Sequence, residues 1–245
     1  GSRILTTTAT TSSNQWYHVA VTRNSGTVKL FIDGVEQGSL SYTSAMPTNN
    51  DLIIGGSNAT GQYFPGYLDD IRILNGYAKY TADFVPPTSA VGTSVSETVN
   101  DLAVLYLPFD ATVTTTSVSG NTVLYLPLDS DTNDDSSHTK TVTNSGVTIS
   151  STQAKFGSYS GYFDGSDYLQ VAYDSSLGDN FIQGDFTMEA FIYPTDLSSE
   201  RTIFSRWDAN SSHRQFVVKL NTGGNLILEF NGNSDMTTSG AGSVS

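Results

Sequence analysis

The stretch WYHVAVTRNSGTVKLFIDGVEQGS at residues 16–39 predicts β-strands joined by a tight hairpin, close to the start of the chain. Apolar and polar residues alternate over residues 16–21 and again over residues 28–32, as in strands with one buried face. Asp33-Gly34 follows directly, and this dipeptide favours a two-residue type I′ turn. The stretch therefore predicts an all-β fold built on antiparallel pairing.

Alternation of this kind recurs along most of the chain, with turn residues between the strands. Residues 77–84 are predicted to form a short helical turn, and no other segment shows a helical period. Many short strands with frequent turns favour a β-sandwich or jelly roll. Further strands are predicted at 52–54, 68–74, 123–128, 161–164, 168–171, 186–193 and 202–207, and a hairpin at 216–230.

The composition excludes several classes of protein. The 13 Tyr and 12 Phe are too many for a disordered chain. Cysteine is absent, which excludes disulfides, zinc–thiolate sites and thiol nucleophiles. The net charge of −13, with 11 Lys and Arg that form no cluster, argues against a nucleic-acid partner. Since no apolar run approaches about 20 residues, membrane insertion is not expected.

A near-repeat divides the chain. LYLPFD at residues 105–110 recurs as LYLPLD at 124–129. The copy is interpreted either as a second strand of one sheet or as the remnant of a duplicated module start. Residues 91–122 are rich in Ser, Thr and Val, and we interpret them as a linker that carries one extra strand at residues 102–109. This linker separates two halves, residues 1–90 and 123–245.

The two halves resemble one known module in reversed order. FGSYSGYFDGSDYLQV, GDFTMEAFIYPT and TIFSRW resemble the first half of a laminin-G-like, concanavalin A-like jelly roll. NQWYHVAVTRNSGTVKLFIDGVEQGS, DLIIGG and FPGYLDDIRILNGYAKYTADFVPPT resemble its second half, especially in modules of phage tail and virion proteins. The resemblance implies an all-β sandwich whose halves are permuted.

Three arrangements fit this order: a circular permutant within one chain, a head-to-tail polymer in which copies complete each other, and a unit cut from a tandem array. Each half alone would expose an apolar sheet face and open edges. We therefore expect the halves to pair, whichever chain supplies them.

Catalysis is not expected. The glucanases of this fold carry paired carboxylates in an E-x-D-x-E strand, and no such motif surrounds any Glu of this chain. Glu189 is expected to be a polar residue on an outward face, and His18 a packed or rim histidine. No G-x-S-x-G elbow precedes a helix. The sequence thus predicts a protein that is not an enzyme.

A structural calcium ion is the one cofactor predicted. LDSDTNDDSS supplies short oxygen side chains at alternate positions, which suit a hard cation, although the same carboxylates could instead cap turn N–H groups. The resemblance adds a second set: an Asp of the last strand, with Asp70 facing the other way, and a backbone carbonyl. The predicted ligands are Asp69, Asp129, Asp131, Asn133, Asp135 and the carbonyl of Gly161.

A glycan or cell-surface polysaccharide is the predicted ligand, because sugar sites on such sandwiches combine loop aromatics with amide and carboxylate groups. The predicted function is adhesion or glycan binding at an extracellular or virion surface. The alternative is a structural filament or decoration subunit whose partners are copies of itself. The predicted ligand-binding residues are Asn58, Tyr63, Tyr77, Arg206, Trp207, Asp208 and Asn210.

Overall fold

A computed structural model describes residues 3–43, 50–57, 61–91, 121–173, 184–206 and 215–230. The regular structure in these ranges is entirely β, and no helix capable of spanning a bilayer occurs in them. The N-terminal strands are β1 (Arg3–Thr10), β2 (Tyr17–Asn24), β3 (Thr27–Ile32), β4 (Val35–Ser41), β5 (Leu52–Ile54) and β6 (Pro65–Asn75). The remaining strands are β7 (Thr122–Leu126), β8 (Val142–Ser145), β9 (Thr148–Ser150), β10 (Ser160–Asp164), β11 (Tyr168–Val171), β12 (Phe186–Pro194), β13 (Arg201–Arg206), β14 (Phe216–Leu220) and β15 (Asn225–Phe230).

The described strands form two antiparallel sheets, and each sheet contains strands from both ends of the chain. The seven-stranded sheet has the order β1-β15-β14-β13-β5-β11-β8. The eight-stranded sheet has the order β4-β3-β2-β12-β6-β10-β9, with β7 beside β6. The predicted concanavalin A-like jelly-roll sandwich is therefore confirmed as the fold class, and within this chain the two halves pair with each other.

The core lies between the two sheets, where alternate residues of each strand point inward. Val19 and Leu30 enter it from the eight-stranded sheet, and Phe204 and Leu228 enter it from the seven-stranded one. Each of these side chains is at most 2% exposed, and burial of one such side chain stabilises the fold by about 1.5–3 kcal/mol. Neither half of the chain could bury these faces alone.

The predicted hairpin is confirmed. Asp33 and Gly34 both have positive φ, 49° and 78°, as a type I′ turn requires. Ile32 pairs with Val35 directly across the turn. Gly34 also lies against the carbonyl of Phe84, where a Cβ atom would come within 1.9 Å of the oxygen. Glycine is therefore required at position 34 for two reasons: the positive φ and the close contact with the Phe84 carbonyl.

The predicted helical turn at residues 77–84 is wrong. Residues 76–91, which we call the strap, cross the outer face of the eight-stranded sheet without regular structure. Tyr80 and Phe84 of the strap stack on each other and pack on Ala20 and Phe31. Because these aromatic rings bury themselves on the sheet, the strap extends over it instead of coiling into a helix.

Three strands were not predicted: β1, β8 and β9. They are rich in Thr, Ser and Asn, and their hydrophobic signal is weak. β1 pairs with β15 from the far end of the chain. The predicted linker strand at residues 102–109 lies outside the described residues, and the predicted boundaries at residues 90 and 122 stay a prediction.

Glu189 lies on the outward face of β12, as expected, but this face is not open to solvent there. The strap covers the side chain, which is 2% exposed. Its carboxylate accepts hydrogen bonds from Arg72 Nε at 2.6 Å and Tyr80 Oη at 2.6 Å, and lies 3.1 Å from His18 Nε2. Lys79 Nζ is 3.4 Å away. A buried carboxylate with these partners joins the strap to three strands.

The partners of Glu189 determine its ionisation. Burial alone would raise the pKa of Glu189, but the hydrogen bond with His18 and the charges of Arg72 and Lys79 lower it below the ordinary range. Burial, together with the Glu189 charge, raises the pKa of Tyr80. Glu189 is therefore an anion at every ordinary pH, and Tyr80 is a neutral donor to it.

Replacing Glu189 with Gln should strongly destabilise the fold, because the charge of Arg72 would stay buried without its counterion. The expected loss in the free energy of unfolding is about 3–5 kcal/mol, measured by urea denaturation. Glu36→Gln is the matched control. It removes an ion pair with Lys29 whose side chains are 30% and 23% exposed, and its expected cost is below about 1 kcal/mol. Equal losses in the two variants would contradict this assignment.

Candidate functional site

The structure does not bring the predicted ligand-binding residues into one cluster. Asn58, Trp207, Asp208 and Asn210 lie outside the described residues. The other three are placed on different parts of the sandwich. Tyr63 precedes β6, next to the seven-stranded sheet; Tyr77 follows β6 and is 46% exposed; Arg206 ends β13 and is buried.

Arg206 has a structural contact that the sequence did not reveal. Its Nε and Nη2 atoms donate to the carbonyl of Asn50 at 2.9 and 2.5 Å. The guanidinium lies 5.8 Å from the ring centre of Tyr173. With 1% of Arg206 exposed, this side chain ties β13 to the segment before β5 and is not presented to solvent.

Two of the predicted ligand-binding residues, Arg206 and Tyr63, lie at opposite ends of the seven-stranded sheet. β5 and β13 run antiparallel, with Ser205 opposite Ile53 and Phe204 opposite Ile54. Arg206, at the end of β13, therefore lies beside the start of β5, whereas Tyr63 lies against Gly56, just after the end of β5. Arg206 and Tyr63 are at different ends of the seven-stranded sheet.

Tyr63 does have an aromatic partner, Tyr168 at the start of β11. The two ring centroids are 6.2 Å apart with an interplanar angle of 30°. Both side chains are partly exposed. Leu169 and Val171 of β11 point into the core, so alternation directs Tyr168 to the outer face of the sheet. Among the described residues, neither phenol hydroxyl has a hydrogen-bond partner.

Polar groups continue from this aromatic pair across the sheet. Gln62 Nε2 donates to Glu200 Oε2 at 2.5 Å, and Lys219 Nζ donates to the same oxygen at 2.9 Å. Lys219 is also 3.6 Å from Glu229. We call Gln62, Tyr63, Tyr168, Glu200 and Lys219 the tyrosine patch.

The tyrosine patch spans four neighbouring strands, from β11 across β5 and β13 to β14. Because adjacent strands lie about 4.8 Å apart, this distance is about 15 Å, which is long enough for an oligosaccharide. Sequence reasoning identified Tyr63 alone. Tyr168 and the polar residues were missed, because the pairing of β11 with β5 cannot be read from local sequence.

The acidic loop after β7 is held mainly by its own backbone. Asp131 accepts from the N–H of Asn133 at 2.8 Å. The buried carboxylate is that of Asp134, which accepts from the N–H groups of Tyr125, Ser136 and Lys140 and from the Ser136 hydroxyl. In these contacts the carboxylates cap the N–H groups of turns, which is the alternative to calcium binding that the sequence left open. Calcium ligation by Asp131, Asn133 and Asp135 stays a prediction.

The other predicted set comes together in space. Leu68, next to Asp69, pairs with Gly161 of β10, and Leu128, next to Asp129, lies against Gly161. Asp69 Oδ2 accepts from the N–H groups of Lys155 and Phe156 at 2.8 and 3.1 Å. The carboxylates of Asp69 and Asp129 are therefore neighbours under the loop at residues 155–157.

Asp129 has an oxygen without a partner. Its Oδ1 atom is buried and makes no hydrogen bond. The carboxylate lies on Gly157, where a Cβ atom would come within 2.2 Å of this oxygen. Gly157 also has a φ of 58°. Glycine here lets the loop close over the carboxylate, and an unpaired buried oxygen of this kind requires an explanation.

Asp70 does not point to the opposite face as expected. Its φ is 48° and the register shifts beside it, so the alternation of β6 is interrupted. Tyr125 Oη donates to Asp70 Oδ1 at 2.7 Å and Val91 N donates at 3.1 Å. Asp70 is therefore a second buried carboxylate close to Asp69, with its own donors.

Burial raises the pKa of Asp69 to about 7, although the N–H groups of Phe156 and Lys155 oppose the shift. The charges of Asp70 and Asp129 raise it further. Within the described residues, no group of three or more acidic or histidine side chains is arranged so that it could hold a metal ion. The site thus offers two carboxylates, and any further cation ligands would be backbone oxygens or water.

An open groove lies next to this carboxylate pair, on the outer face of the eight-stranded sheet. Its volume is about 530 Å³. Phe191 forms its floor, with Lys155 Nζ 5.0 Å from the ring centre and Phe156 packed edge-on. Val85 and Pro86 of the strap form the opposite wall. The groove is mainly apolar, in contrast to the tyrosine patch.

Comparison with known proteins agrees with this architecture. Residues 1–79 match the Laminin_G_3 family, described as the concanavalin A-like lectin/glucanases superfamily. The matched region contains β1 to β6 and therefore contributes strands to both sheets. The comparisons found no match among curated proteins or solved structures. The match associates this region with lectin-like and adhesion-type modules, within a superfamily that also includes glucanases.

The raised pKa of Asp69 predicts a pH dependence of stability in calcium-free buffer. The folded protein holds this proton more tightly than the unfolded chain, whose Asp titrates near 3.9. The free energy of unfolding should therefore fall as pH rises from about 4 to about 7, by up to about 4 kcal/mol from this group. Asp69→Asn should remove this part of the slope.

Urea denaturation in EDTA at a series of pH values would measure this effect. The relevant quantity is the stability of the wild type minus that of Asp69→Asn, since other carboxylates titrate in the same range. Asp131→Asn, at an exposed carboxylate, is the control and should keep the wild-type slope. Parallel pH profiles for the wild type and Asp69→Asn would show that the Asp69 pKa is not raised.

Proposed function

We propose that this protein is a non-enzymatic laminin-G-like module that binds glycans through the tyrosine patch. The observation that carries the proposal is the pairing of Tyr63 and Tyr168 on the outer face of the sheet, beside an amide and a carboxylate. The match of residues 1–79 to a lectin-containing superfamily supports the same function.

The chemistry of the patch fits a carbohydrate. The apolar C–H face of a pyranose can stack on a tyrosine ring, while its hydroxyls exchange hydrogen bonds with Gln62 and Glu200. Because Lys219 is balanced by Glu200 and Glu229, and the chain carries a net charge of −13, polyanionic sugars would be repelled. The proposed ligand class is therefore a neutral polysaccharide or oligosaccharide.

Truncation of the aromatic pair tests this function. Tyr63→Ala and Tyr168→Ala should each weaken glycan binding about tenfold or more, since a lost aromatic contact of about 1.4 kcal/mol changes affinity tenfold. A glycan array would identify the ligand, and isothermal titration would measure the dissociation constants. Tyr77→Ala is the matched control, because Tyr77 is an exposed tyrosine that follows β6 of the other sheet.

Two results would contradict the proposal. One is unchanged affinity in both Tyr63→Ala and Tyr168→Ala, provided that their thermal unfolding matches that of the wild type. The other is an equal loss in Tyr77→Ala, which would place the ligand elsewhere. Absence of binding to any neutral glycan would favour the alternative function of a structural subunit.

We further propose that calcium binds between Asp69 and Asp129. The buried, unpartnered Oδ1 atom of Asp129 and the raised pKa of Asp69 both fit a missing cation. Calcium is bound by carboxylate and carbonyl oxygens. When bound, the ion would neutralise both carboxylates and so tie β6 to the segment after β7.

Calcium should raise the melting temperature of the wild type above its value in EDTA, because a ligand that binds only the folded state stabilises it. At about 100 times the dissociation constant, this stabilisation is about 2.7 kcal/mol. Asp129→Asn should abolish the shift, measured by differential scanning fluorimetry, whereas Asp131→Asn should retain it. The reverse result would move the ion to the acidic loop. No shift in the wild type would exclude a structural calcium.

The absence of catalysis is also part of the proposal. Glu189 was the strand carboxylate considered for hydrolysis, and its lowered pKa and four partners leave it no proton to donate. The proposed setting is an extracellular or virion surface, such as a phage tail fibre or a tandem adhesive array. β1 lies beside β15, which supports a permuted order of the module.

A filament subunit assembled from copies of this chain is the alternative. It differs from an adhesin in what covers the tyrosine patch: a neighbouring copy in the filament, and solvent in the adhesin. The described strands of one chain already fill both sheets, which favours the adhesin.

A further inference from the structure

Two stretches of the chain are nearly identical. VLYLPFD at residues 104–110, the first copy, and VLYLPLD at residues 123–129, the second copy, differ only at Phe109 and Leu128. The second copy includes most of β7. The first copy lies outside the described residues, and its sequence is what matters here.

The second copy occupies a defined position beside β6. Leu126 pairs with Ile71 and Leu124 with Ile73. We call this position, alongside residues 71–74, the slot. β7 has β6 as its one strand neighbour among the described residues, so the slot is at an edge, where strand exchange does not break a central ladder.

The contacts made in the slot are specific. The leucines at 124, 126 and 128 are fully buried in the core. Tyr125 Oη lies 2.7 Å from Oδ1 of the buried Asp70 and 2.8 Å from the carbonyl oxygen of Val91, and its one proton can be donated to either acceptor. The Asp129 carboxylate packs on Gly157. A strand that lacked this tyrosine would leave Asp70 with the N–H of Val91 as its one remaining hydrogen-bond donor among the described residues, and the loss of a donor to a buried carboxylate is costly.

The first copy repeats the residues that make these contacts. It has Val, Leu, Tyr, Leu, Pro and Asp at the same places, including Tyr106 for Tyr125 and Asp110 for Asp129. An arbitrary strand with alternating apolar residues could also fill the core, but it would not carry a tyrosine and an aspartate at these two positions. We propose that the slot accepts either copy, and that residues 104–110 of the same chain replace β7 when the second copy leaves it.

The same chain is the favoured source, because both ends of the stretch that carries the first copy are fixed at the slot. Val91 contacts Tyr125, and the carbonyl of Asn121 accepts from Asn75 N at 2.9 Å. A chain extends about 3.3 Å per residue, so the residues after Val91 easily reach the start of the slot. Tethering at short range gives a higher effective concentration than a second molecule in dilute solution.

Two features make the second copy the preferred occupant. Leu128 lies against Gly161, and the larger Phe109 would overfill this site. The edge of β7 is also capped from the sequence that follows it, since Tyr125 N donates to Asp134 and Asp135 N donates to the carbonyl of Tyr125. The exchange is thus a minor alternative in the wild type.

Disulfide trapping in the full chain tests the exchange, and the absence of native cysteine makes it specific. Leu74 pairs with Thr122 in the slot, and the residue at the matching place before the first copy is Ala103. L74C/T122C reports the second copy, L74C/A103C reports the first, and L74C/A111C is the control just beyond the first copy. Non-reducing gels and peptide mapping give the rate of each crosslink.

L74C/T122C should form its crosslink fastest. L74C/A103C should be slower than L74C/T122C, but at least about tenfold faster than L74C/A111C. In the background L124D/L126D, which disables the second copy, the L74C/A103C rate should rise to that of L74C/T122C in the wild-type background. Equal rates for the A103C and A111C pairs would overturn the proposal. A crosslink between chains would overturn it as well, since the occupant would then be a second molecule.

Folding of the charge variants gives an independent readout. L124D/L126D should keep a cooperative unfolding transition because the first copy takes the slot, and L105D/L107D should resemble the wild type. The quadruple variant L105D/L107D/L124D/L126D should lose the transition. If L124D/L126D loses it to the same extent as the quadruple variant, no exchange takes place.

Discussion

The structure depends on the pairing of β6 with β12, which joins a strand from the first third of the chain to one from the last third. β12 pairs with β6 along almost its whole length, and β2 flanks it on the other side. All other strands of the eight-stranded sheet are added outward from these three. Because the inner faces of β6 and β12 form one wall of the core, the sandwich has no apolar interior until these distant segments meet.

The same pairing places the charged groups. Glu189 and Arg72 are opposite each other in the β12–β6 register, and the strap closes over them. On the outer face of the same sheet, Asp69 lies opposite Phe191 and so comes beneath the loop at residues 155–157. The seven-stranded sheet carries no comparable buried charge pair at its described outer face, and it presents the tyrosine patch there. The two sheets therefore separate a stabilising face from the proposed binding face.

Local sequence predicted the features that neighbouring residues determine. Asp33-Gly34 fixes its turn by backbone preference, and the alternation in FTMEAFIY identifies β12 without knowledge of its partners. The environment of Glu189 could not be predicted, because its partners come from β2, β6 and the strap. Tyr168 was missed for the same reason, since it adjoins Tyr63 only through the pairing of β11 with β5. In the acidic loop, Asp134 is the carboxylate that points inward, because it accepts a hydrogen bond from the backbone N–H of Tyr125 on β7.

The neighbouring position of β1 and β15 has a mechanical consequence. Arg3 is opposite Phe230 in their ladder, so the first and last described strands lie side by side. A load applied at these two points would separate β1 from β15 by breaking their hydrogen bonds one after another. Strands that are pulled lengthwise past each other resist more strongly, because many hydrogen bonds must break at the same time. A module loaded at these two points would therefore begin to open at a lower force than one loaded along the length of its strands.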